Sequence, residues 1–243
     1  MQPYIVPIRD LNSFEPFQGI EVGDIGTKLG YNSVDNGYLK FTHYRVPRAA
    51  LLSRFVSITK EGEFSMNANP RIIYQIMVQT RIAITTGAAF VMHNCAKMAI
   101  RYAACRRQFA TIKGSTQERA LLDYQLHMDT VAKNLCTAIT MQLNVGDLAS
   151  MEAESQREVA NGSFKLLDIL HHFSAGTKAL FTDLCYVGID ELRQACGGAG
   201  WILSSGIADA WAEQGPFPTF EGVNVIMYQQ SSRMLLKQAA RVS

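Results

Sequence analysis

Hydrophobic and polar positions follow different patterns in the two parts of the chain. Before residue 70, short β-branched or aromatic runs alternate with Gly, Asn, Asp and Pro, which is typical of strands joined by turns. These runs are YIVPI, GIEVGDIG, GYLKFTHYRV and RFVSITKEGEF. The pattern predicts a small sheet, with residues 37–46 as one strand and Asp35, Asn36 and Gly37 as a turn just before it.

The rest of the chain predicts long helices, because residues 71–215 contain no proline and proline inside a helix costs about 3 kcal/mol. Asn69 and Pro70 are typical of the N-cap and first position of a helix. Apolar residues then recur every three or four positions, which predicts a first helix to about Gln108. Within it, the small residues Gly87, Ala88 and Ala89 permit close approach of a neighbour.

Capping signals and the same periodicity predict three further helices. Ser115 and Glu118 have the spacing of a capping box, so a second helix is expected from there to about Asp147. A third helix is expected over residues 164–195. A proline-bearing loop and a fourth amphipathic helix, over residues 222–241, are expected to follow.

The predicted fold class is therefore mainly α: an antiparallel four-helix bundle preceded by a short β portion. We expect the β portion to cover residues 1–65 and the bundle to cover residues 66–243. The least charged stretch, residues 82–96, is shorter than the about 20 mostly apolar residues of a spanning helix. No membrane span is predicted.

Composition and charge narrow the classes of partner. The chain has 23 Lys+Arg and 21 Asp+Glu, a net charge of +2, and no long run of one sign. An interface with nucleic acid or an anionic membrane is therefore not expected. The 5 Cys show no CxxC spacing, which disfavours a disulfide framework. The histidines show no paired-ligand spacing, so no metal site is predicted.

Ionisable groups beside irregular backbone are the candidate functional residues. Glu221 lies where the proline-bearing loop meets the fourth helix, and its sequence neighbours are aromatic or β-branched: Phe217, Phe220, Val223 and Val225. These neighbours are expected to exclude water from the carboxylate, which favours a role as general base near neutral pH. Alternatively, Glu221 complements the positive N-terminal end of the helix dipole.

A glycine segment and three arginines are further candidates. Gly197, Gly198 and Gly200 follow a helix, which is typical of a C-cap and turn, but three glycines in four residues also permit close approach of a ligand. Arg106 and Arg107 suit a helix C-terminus or bind a pyrophosphate. The guanidinium of Arg81, in an apolar stretch, either extends to solvent or binds an anion.

Several segments together resemble the acyl-CoA oxidase family. Residues 22–31, 35–39 and 44–47 resemble the end of the β-domain of these enzymes. Residues 100–108, 195–200, 204–207 and 219–224 resemble, in the family's order, the α-domain that follows it. The resemblance covers essentially the whole chain and implies a partial acyl-CoA oxidase architecture, so we expect a segment of a longer enzyme.

The resemblance implies FAD-dependent desaturation of fatty acyl-CoA to trans-2-enoyl-CoA in fatty-acid β-oxidation. In this family a carboxylate removes the α-proton of the thioester, the β-hydrogen leaves as hydride to the flavin, and oxygen is reduced to hydrogen peroxide. Glu221 stands at the position of the catalytic base. The implied partners are acyl-CoA, oxygen and a second copy in a homodimer, and the implied location is peroxisomal, with mitochondrial as the alternative.

The resemblance also assigns binding residues. Arg106 and Gln108 match an RxQ element that contacts FAD across a dimer interface in the wider superfamily. The glycine segment matches one that lies against the same cofactor, so the predicted FAD-binding residues are Arg106, Gln108, Gly197, Gly198 and Gly200. The predicted substrate-binding residues are Gly222 and Arg81, which corresponds to an arginine near coenzyme A in related dehydrogenases.

Two alternatives stay open at this point. An acyl-CoA dehydrogenase would perform the same first half-reaction but pass electrons to an electron-transfer flavoprotein. A non-catalytic, truncated paralogue would bind no flavin and act as a helical interaction subunit. The segment at residues 35–39 resembles the oxidases more closely, which favours an oxidase.

Overall fold

The computed structural model describes residues 2–66, 69 and 71–240, with only the backbone at residue 73. The chain forms two compact units, residues 1–73 and residues 74–243. As a whole it is mainly helical, with small antiparallel strand pairs.

Two antiparallel strand pairs organise the first unit. Strand β1 (Ile20–Asp24) pairs with β2 (Gly37–Phe41), and β3 (Val56–Ile58) pairs with β4 (Phe64–Met66). These strands lie in runs that the sequence predicts as β. They form two separate pairs within the described residues, where the sequence pattern predicts one small sheet.

The strand predicted over residues 37–46 is shorter than expected. It ends at Phe41 because His43 has a φ of 51°, which does not continue a strand. The predicted turn is also displaced, since Gly37 is the first residue of β2 and the amide of Val34 donates to the carbonyl of Tyr31 at 3.1 Å. The N-terminal run contributes a single bridge, from Tyr4 to Leu51.

The helices and one short hairpin account for the rest of the described fold. The helices are α1 (Ile72–Cys105), α2 (Gln125–Ala160), α3 (Lys165–Ala195), α4 (Ile207–Gln214) and α5 (Asn224–Ala239). The hairpin follows α1 and consists of β5 (Arg107–Ala110) and β6 (Glu118–Ala120).

The predicted start of the first helix is confirmed, but its predicted end is wrong. Asn69 Oδ1 accepts the amide of Arg71 at 3.1 Å, as an N-cap residue does, while Pro70 lies outside the described residues. The helix ends at Cys105 and not near Gln108. It ends there because the chain turns into β5, where ladder hydrogen bonds to β6 replace helical ones.

Two predictions for the second helix are wrong. The supposed capping box does not open a helix, because Glu118 lies in β6 and α2 begins at Gln125. The helix also continues past Asp147 to Ala160. The helix continues although its final turns are largely polar, because Leu148 is buried in the core with residues of α1 and α3 and Met151 and Val159 pack against that core.

The third helix is confirmed, at Lys165–Ala195. The fourth predicted helix corresponds to α5, which covers Asn224–Ala239, and its predicted last residue, Arg241, lies outside the described residues. The loop expected before it contains the short helix α4 and a tight turn. The sequence pattern missed α4 because eight residues give too little periodicity to detect.

Small residues let α1 and α3 approach closely. Ala88 and Ala89 are fully buried, and the Sγ of Cys185 on α3 donates to the carbonyl oxygen of Ala88 at 3.2 Å. A Cβ at Gly87 would lie 3.5 Å from the ring of Phe217. The predicted close approach at this point of α1 is therefore confirmed.

The described residues contain no helix that combines the length and apolar character needed to cross a membrane. Their His, Cys, Asp and Glu side chains form no group of three or more suited to hold a metal ion.

Candidate active site

Glu221 lies in a tight turn between α4 and α5. The carbonyl oxygen of Pro216 accepts the amides of Thr219 and Phe220, both at 3.0 Å. The backbone then takes the left-handed region twice in succession, with a φ of 54° at Glu221 and 110° at Gly222. This conformation is uncommon for a residue with a side chain and persists only where the surroundings hold it.

Two buried cations hold this turn from two different helices. Arg81 Nε on α1 donates to the carbonyl oxygen of Glu221 at 3.4 Å. Lys178 Nζ on α3 donates to the carbonyl oxygen of Gly222 at 2.8 Å. Arg81 is 3% exposed and Lys178 is 0% exposed. Consecutive peptide groups of the Glu221 turn are therefore fixed to α1 and α3.

Of the two alternatives for Arg81, extension to solvent is wrong. Its guanidinium is buried, where it bonds to the backbone of Glu221 and lies 3.4 Å, Nη1 to Nδ1, from His171. Because a guanidinium only donates, Nδ1 of His171 is the acceptor and carries no proton. Both of these acceptors of Arg81, the Glu221 carbonyl oxygen and His171 Nδ1, belong to this chain.

A set of hydrogen-bonded polar side chains joins α3 to α5 next to the Glu221 turn. Asn224 Nδ2 donates to Asp183 Oδ1 at 2.6 Å and to Thr182 Oγ1 at 2.9 Å, and Asn224 Oδ1 accepts from Lys178 Nζ at 3.0 Å. Tyr228 donates from its hydroxyl to Asp183 Oδ2 at 2.9 Å. We call these five residues the α3–α5 polar cluster.

Sequence reasoning missed this cluster, although a signal was present. Lys178, Thr182 and Asp183 interrupt an otherwise apolar stripe of α3 at helical spacing, and Asn224 comes three residues after Glu221. Polar residues that share one helical face with buried apolar residues need partners from a neighbouring element. Only the fold reveals that the partners come from α5.

Burial and nearby charges shift the pKa values around the turn. Burial lowers the pKa of Lys178 to about 8, and the charge of Arg81 adds to this, while Asp183 and Glu221 oppose it. Burial likewise lowers the pKa of Arg81, against the charge of Glu221. Burial and the hydrogen bond to Asp183 raise the pKa of Tyr228 to about 12.

The prediction that hydrophobic neighbours exclude water from Glu221 is wrong for the described residues. Glu221 is exposed, whereas Phe217 packs inward toward α1. Val223 and Val225 are themselves 44% and 63% exposed and cannot cover the carboxylate. The dipole interpretation fits poorly too, because α5 begins only at Asn224 and the dipole effect is confined to the first turn.

The three glycines after α3 differ in their surroundings. A Cβ at Gly200 would lie 1.9 Å from the carbonyl oxygen of Arg193, so this glycine serves internal packing. Gly197 has a φ of 57°, as expected of a turn after a helix. Gly198 is exposed with open space in front of it. The exposed backbone at Gly197 and Gly198 suits the close approach of a flat ligand.

The RxQ element lies at the start of the hairpin. Arg106 is exposed directly after α1, and Gln108 is half-buried in β5. The hydroxyl of Tyr124 holds this strand by donating to the carbonyl oxygens of Gln108 and Phe109, at 2.8 and 3.2 Å. Arg106 therefore presents a cation on a segment that is anchored to the start of α2.

The structure brings only some of the predicted site residues together. Arg81, Glu221 and Gly222 meet at one turn, with Lys178 as a further member that the sequence did not reveal. Arg106 and Gln108 lie on the hairpin, and the three glycines lie at the end of α3. Among the described residues, no hydrogen bond joins these two groups to the Glu221 turn.

The helical unit that carries this turn matches a known class of domain. The family model for the acyl-CoA oxidase C-alpha1 domain matches residues 74–236. Because that match covers more than half of the chain, the chain belongs to the acyl-CoA oxidase family.

Individual relatives agree with this assignment. The chain is 35% identical over 241 residues to the probable acyl-coenzyme A oxidase acox-1.5 of Caenorhabditis elegans, covering 99% of the chain and 36% of the relative. It is 35% identical over 237 residues to peroxisomal acyl-coenzyme A oxidase 1 of Rattus norvegicus, covering 98% and 36%. The chain thus spans little more than a third of the length of these relatives.

Solved structures show the same similarity. Acyl-CoA oxidase 1 of Arabidopsis thaliana superposes with a TM-score of 0.93 at 35% identity, over 98% of this chain and 37% of that one. Acyl-CoA oxidase-1 of Caenorhabditis elegans, complexed with FAD and ATP, superposes with a TM-score of 0.87 at 32% identity, over 98% and 35%.

Proposed function

We propose that this chain forms part of an FAD-dependent acyl-CoA oxidase in which Glu221 is the catalytic base. The observation that carries the proposal is the left-handed Glu221 turn, held by buried cations from α1 and α3, in a chain of the acyl-CoA oxidase family. The reaction converts a fatty acyl-CoA to the trans-2-enoyl-CoA and reduces oxygen to hydrogen peroxide.

The residues of the turn have distinct parts in this proposal. The Glu221 carboxylate accepts the α-proton of the bound thioester, and the backbone of Gly222 borders the same substrate. FAD, when bound, would supply the acceptor for the β-hydride and the route of the electron pair to oxygen. Because the guanidinium of Arg81 is buried against the Glu221 carbonyl, we assign it to positioning the turn and not to contact with coenzyme A.

The FAD-binding residues that we propose fit a flat, anionic cofactor. Gly197 and Gly198 expose backbone without side chains, and Arg106 presents an exposed cation of the kind that binds a pyrophosphate. Gln108 adds an amide next to that cation. Gly200 contributes indirectly, by allowing the segment to fold back on Arg193. The FAD bound to the Caenorhabditis elegans relative supports this assignment.

Further proposals concern the architecture. We propose that α1, α2, α3 and α5 form an antiparallel four-helix bundle, with α4 as a short connection, and that it starts at residue 66. Residues 1–65 then correspond to the end of a β-domain. The short connection between α2 and α3, at residues 161–164, supports an antiparallel arrangement of that pair.

We also propose a homodimer and a peroxisomal location. The exposed position of Arg106, next to the half-buried Gln108, supports a dimer, because such a residue can reach a cofactor held mainly by a second chain. The peroxisomal names of several relatives support the location, and nothing supports the mitochondrial alternative.

The test is an oxidase assay on the protein expressed from its natural gene. We expect wild-type protein to form hydrogen peroxide and trans-2-enoyl-CoA in equal amounts from a saturated acyl-CoA under air. Glu221→Gln is expected to reduce kcat by at least about 10²-fold while acyl-CoA still binds, since a general base contributes about this much. Glu154→Gln, an exposed glutamate on α2, is the matched control and should retain activity.

Two other results would each support one of the alternative functions. Purified protein without a flavin spectrum would identify a non-catalytic interaction subunit. A flavin that acyl-CoA reduces, but that oxygen reoxidises only slowly, would identify a dehydrogenase that passes its electrons to another protein.

A further inference from the structure

A fully buried lysine next to the Glu221 turn has no part in the chemistry proposed above. Lys178 is 0% exposed, on the face of α3 that contacts α5. Lysine is almost never fully buried unless it is paired, because removing an ammonium from water is costly. The buried position of Lys178 therefore requires specific interactions that compensate for this desolvation free energy.

The contacts of Lys178 point to the backbone of the turn. Its Nζ donates to the carbonyl oxygen of Gly222 at 2.8 Å, the shorter of the two bonds by which buried cations hold the turn. Gly222 has a φ of 110°, and a Cβ there would lie 2.5 Å from Cε of Met227. A side chain at position 222 would be strained by this φ and would displace the end of Met227, so the turn is held at this residue through its backbone.

The α3–α5 polar cluster holds Lys178 in place in turn. Asn224 Oδ1 accepts from Nζ at 3.0 Å. Asn224 Nδ2 donates to Asp183 Oδ1, Thr182 Oγ1 and the carbonyl oxygen of Ala179. The amide of Asn224 therefore has one orientation that satisfies all its partners. This arrangement leaves the ammonium little freedom to move away from Gly222.

The rigidity of the turn matters most at Glu221, the residue before Gly222. A non-glycine residue in the left-handed region carries about 1–3 kcal/mol of strain and relaxes unless its neighbours hold it. The direction of the Glu221 carboxylate depends on the two peptide groups that flank the residue's Cα. The peptide group after it leads directly to Gly222, whose carbonyl Lys178 binds.

We propose that Lys178 is a positioning residue for Glu221: held by Asn224, its ammonium fixes the Gly222 carbonyl and thereby the direction of the Glu221 carboxylate. The catalytic consequence rests on the proposed function of Glu221 as base. The structural part, that Lys178 holds the turn, stands on the geometry alone and is tested separately.

Hydrogen exchange tests the structural part without any need for activity. Lys178→Met keeps the length of the side chain but removes its charge and donors. We expect amides of residues 219–226 to exchange about tenfold faster in this variant, because local opening becomes easier. Lys165→Met, on the exposed first residue of α3, is the matched control and should leave this segment unchanged. Unchanged exchange in Lys178→Met would overturn the proposal.

Kinetics test the catalytic part on the flavin-loaded protein. We expect Lys178→Met to lower kcat by about 10- to 100-fold, as misplacement of a catalytic group does, with the KM for acyl-CoA nearly unchanged. The deuterium isotope effect with acyl-CoA labelled at the α-carbon should rise, because proton abstraction becomes slower. A merely structural role would reduce the fraction of active protein and leave the isotope effect at its wild-type value.

The outcomes separate this inference from the proposed function. If Glu221→Gln abolishes turnover while Lys178→Met retains the wild-type kcat and isotope effect, only the role of Lys178 falls. If Glu221→Gln retains turnover, Glu221 is not the base and the catalytic part falls with it, whereas the exchange result still decides whether Lys178 holds the turn. Should Lys178→Met fail to fold, Lys178→Gln, which keeps a donor without the charge, is measured in the same way.

Discussion

At the scale of single residues, substitutions of Gly200 and Gly198 distinguish a glycine needed for internal packing from one that can contact a ligand. We expect Gly200→Ala to destabilise the fold by about 3 kcal/mol or more, because its Cβ would lie 1.9 Å from the backbone oxygen of Arg193. Gly198→Ala should change stability by less than about 1 kcal/mol, since a Cβ there meets open space. Thermal or chemical unfolding of the two variants measures both effects.

Flavin content separates the two glycines further. If FAD lies against this segment, as we propose, Gly198→Ala should weaken flavin binding in a protein of nearly normal stability. A Gly198→Ala variant that retains flavin as tightly as the wild type would remove this glycine from the cofactor site.

The contact between His171 and Arg81 predicts a loss of stability in acid. Burial, and then the charge of Arg81, lowers the pKa of His171 below its ordinary value of 6.5. The unfolded chain therefore binds the proton more readily, so stability is full above about pH 6.5 and falls as the pH drops toward the lowered pKa. We expect the unfolding free energy to decrease between pH 7 and pH 5 because of this group.

The matched variant for this pH effect is His171→Gln, whose side-chain oxygen can still accept from Arg81 but does not titrate. It should show a smaller decrease over the same pH range than the wild type. His93→Gln, at an exposed position of α1, should follow the wild-type curve. Identical acid dependence in all three proteins would refute the role of His171.

At the scale of elements, the β5–β6 hairpin depends on one tyrosine. Tyr124→Phe removes the hydroxyl that donates to the carbonyl oxygens of Gln108 and Phe109. We expect a loss of about 1 kcal/mol in stability, together with faster hydrogen exchange in residues 107–120. In our proposal, flavin affinity falls as well, because Gln108 is less firmly placed. Exchange at wild-type rates in Tyr124→Phe would contradict this view of the hairpin.

The accuracy of the sequence predictions also differs between elements. The helix α3 could be predicted almost to the residue, because apolar residues recur along its whole length and a glycine segment follows it. The hairpin could not, since Ser115 and Glu118 have the spacing of a capping box and only the pairing of Glu118 with Ala110 shows that Glu118 begins a strand and not a helix. Local signals fail where tertiary pairing decides between two plausible structures.

At the scale of the whole molecule, sequence reasoning selected Glu221 as a candidate but did not describe its surroundings correctly. Glu221 could be singled out because an acidic residue at a loop–helix junction is conspicuous in sequence. The exposure of Glu221 could not be predicted. Nor could the two hydrogen bonds that hold its turn, since Arg81 lies 140 positions from Glu221 and Lys178 lies 44 positions from Gly222. The interrupted apolar stripe of α3 marks Lys178 as unusual, but its partner in the Glu221 turn follows only from the packing of the helices.

The most direct test of the central claim is a single anaerobic turnover in the flavin-loaded protein, with a saturated acyl-CoA in excess. We expect the flavin absorbance to be lost in the wild type and to persist in Glu221→Gln, although the variant binds the same acyl-CoA. Loss of the absorbance at the wild-type rate in Glu221→Gln would contradict the account, because proton removal would then not depend on this carboxylate.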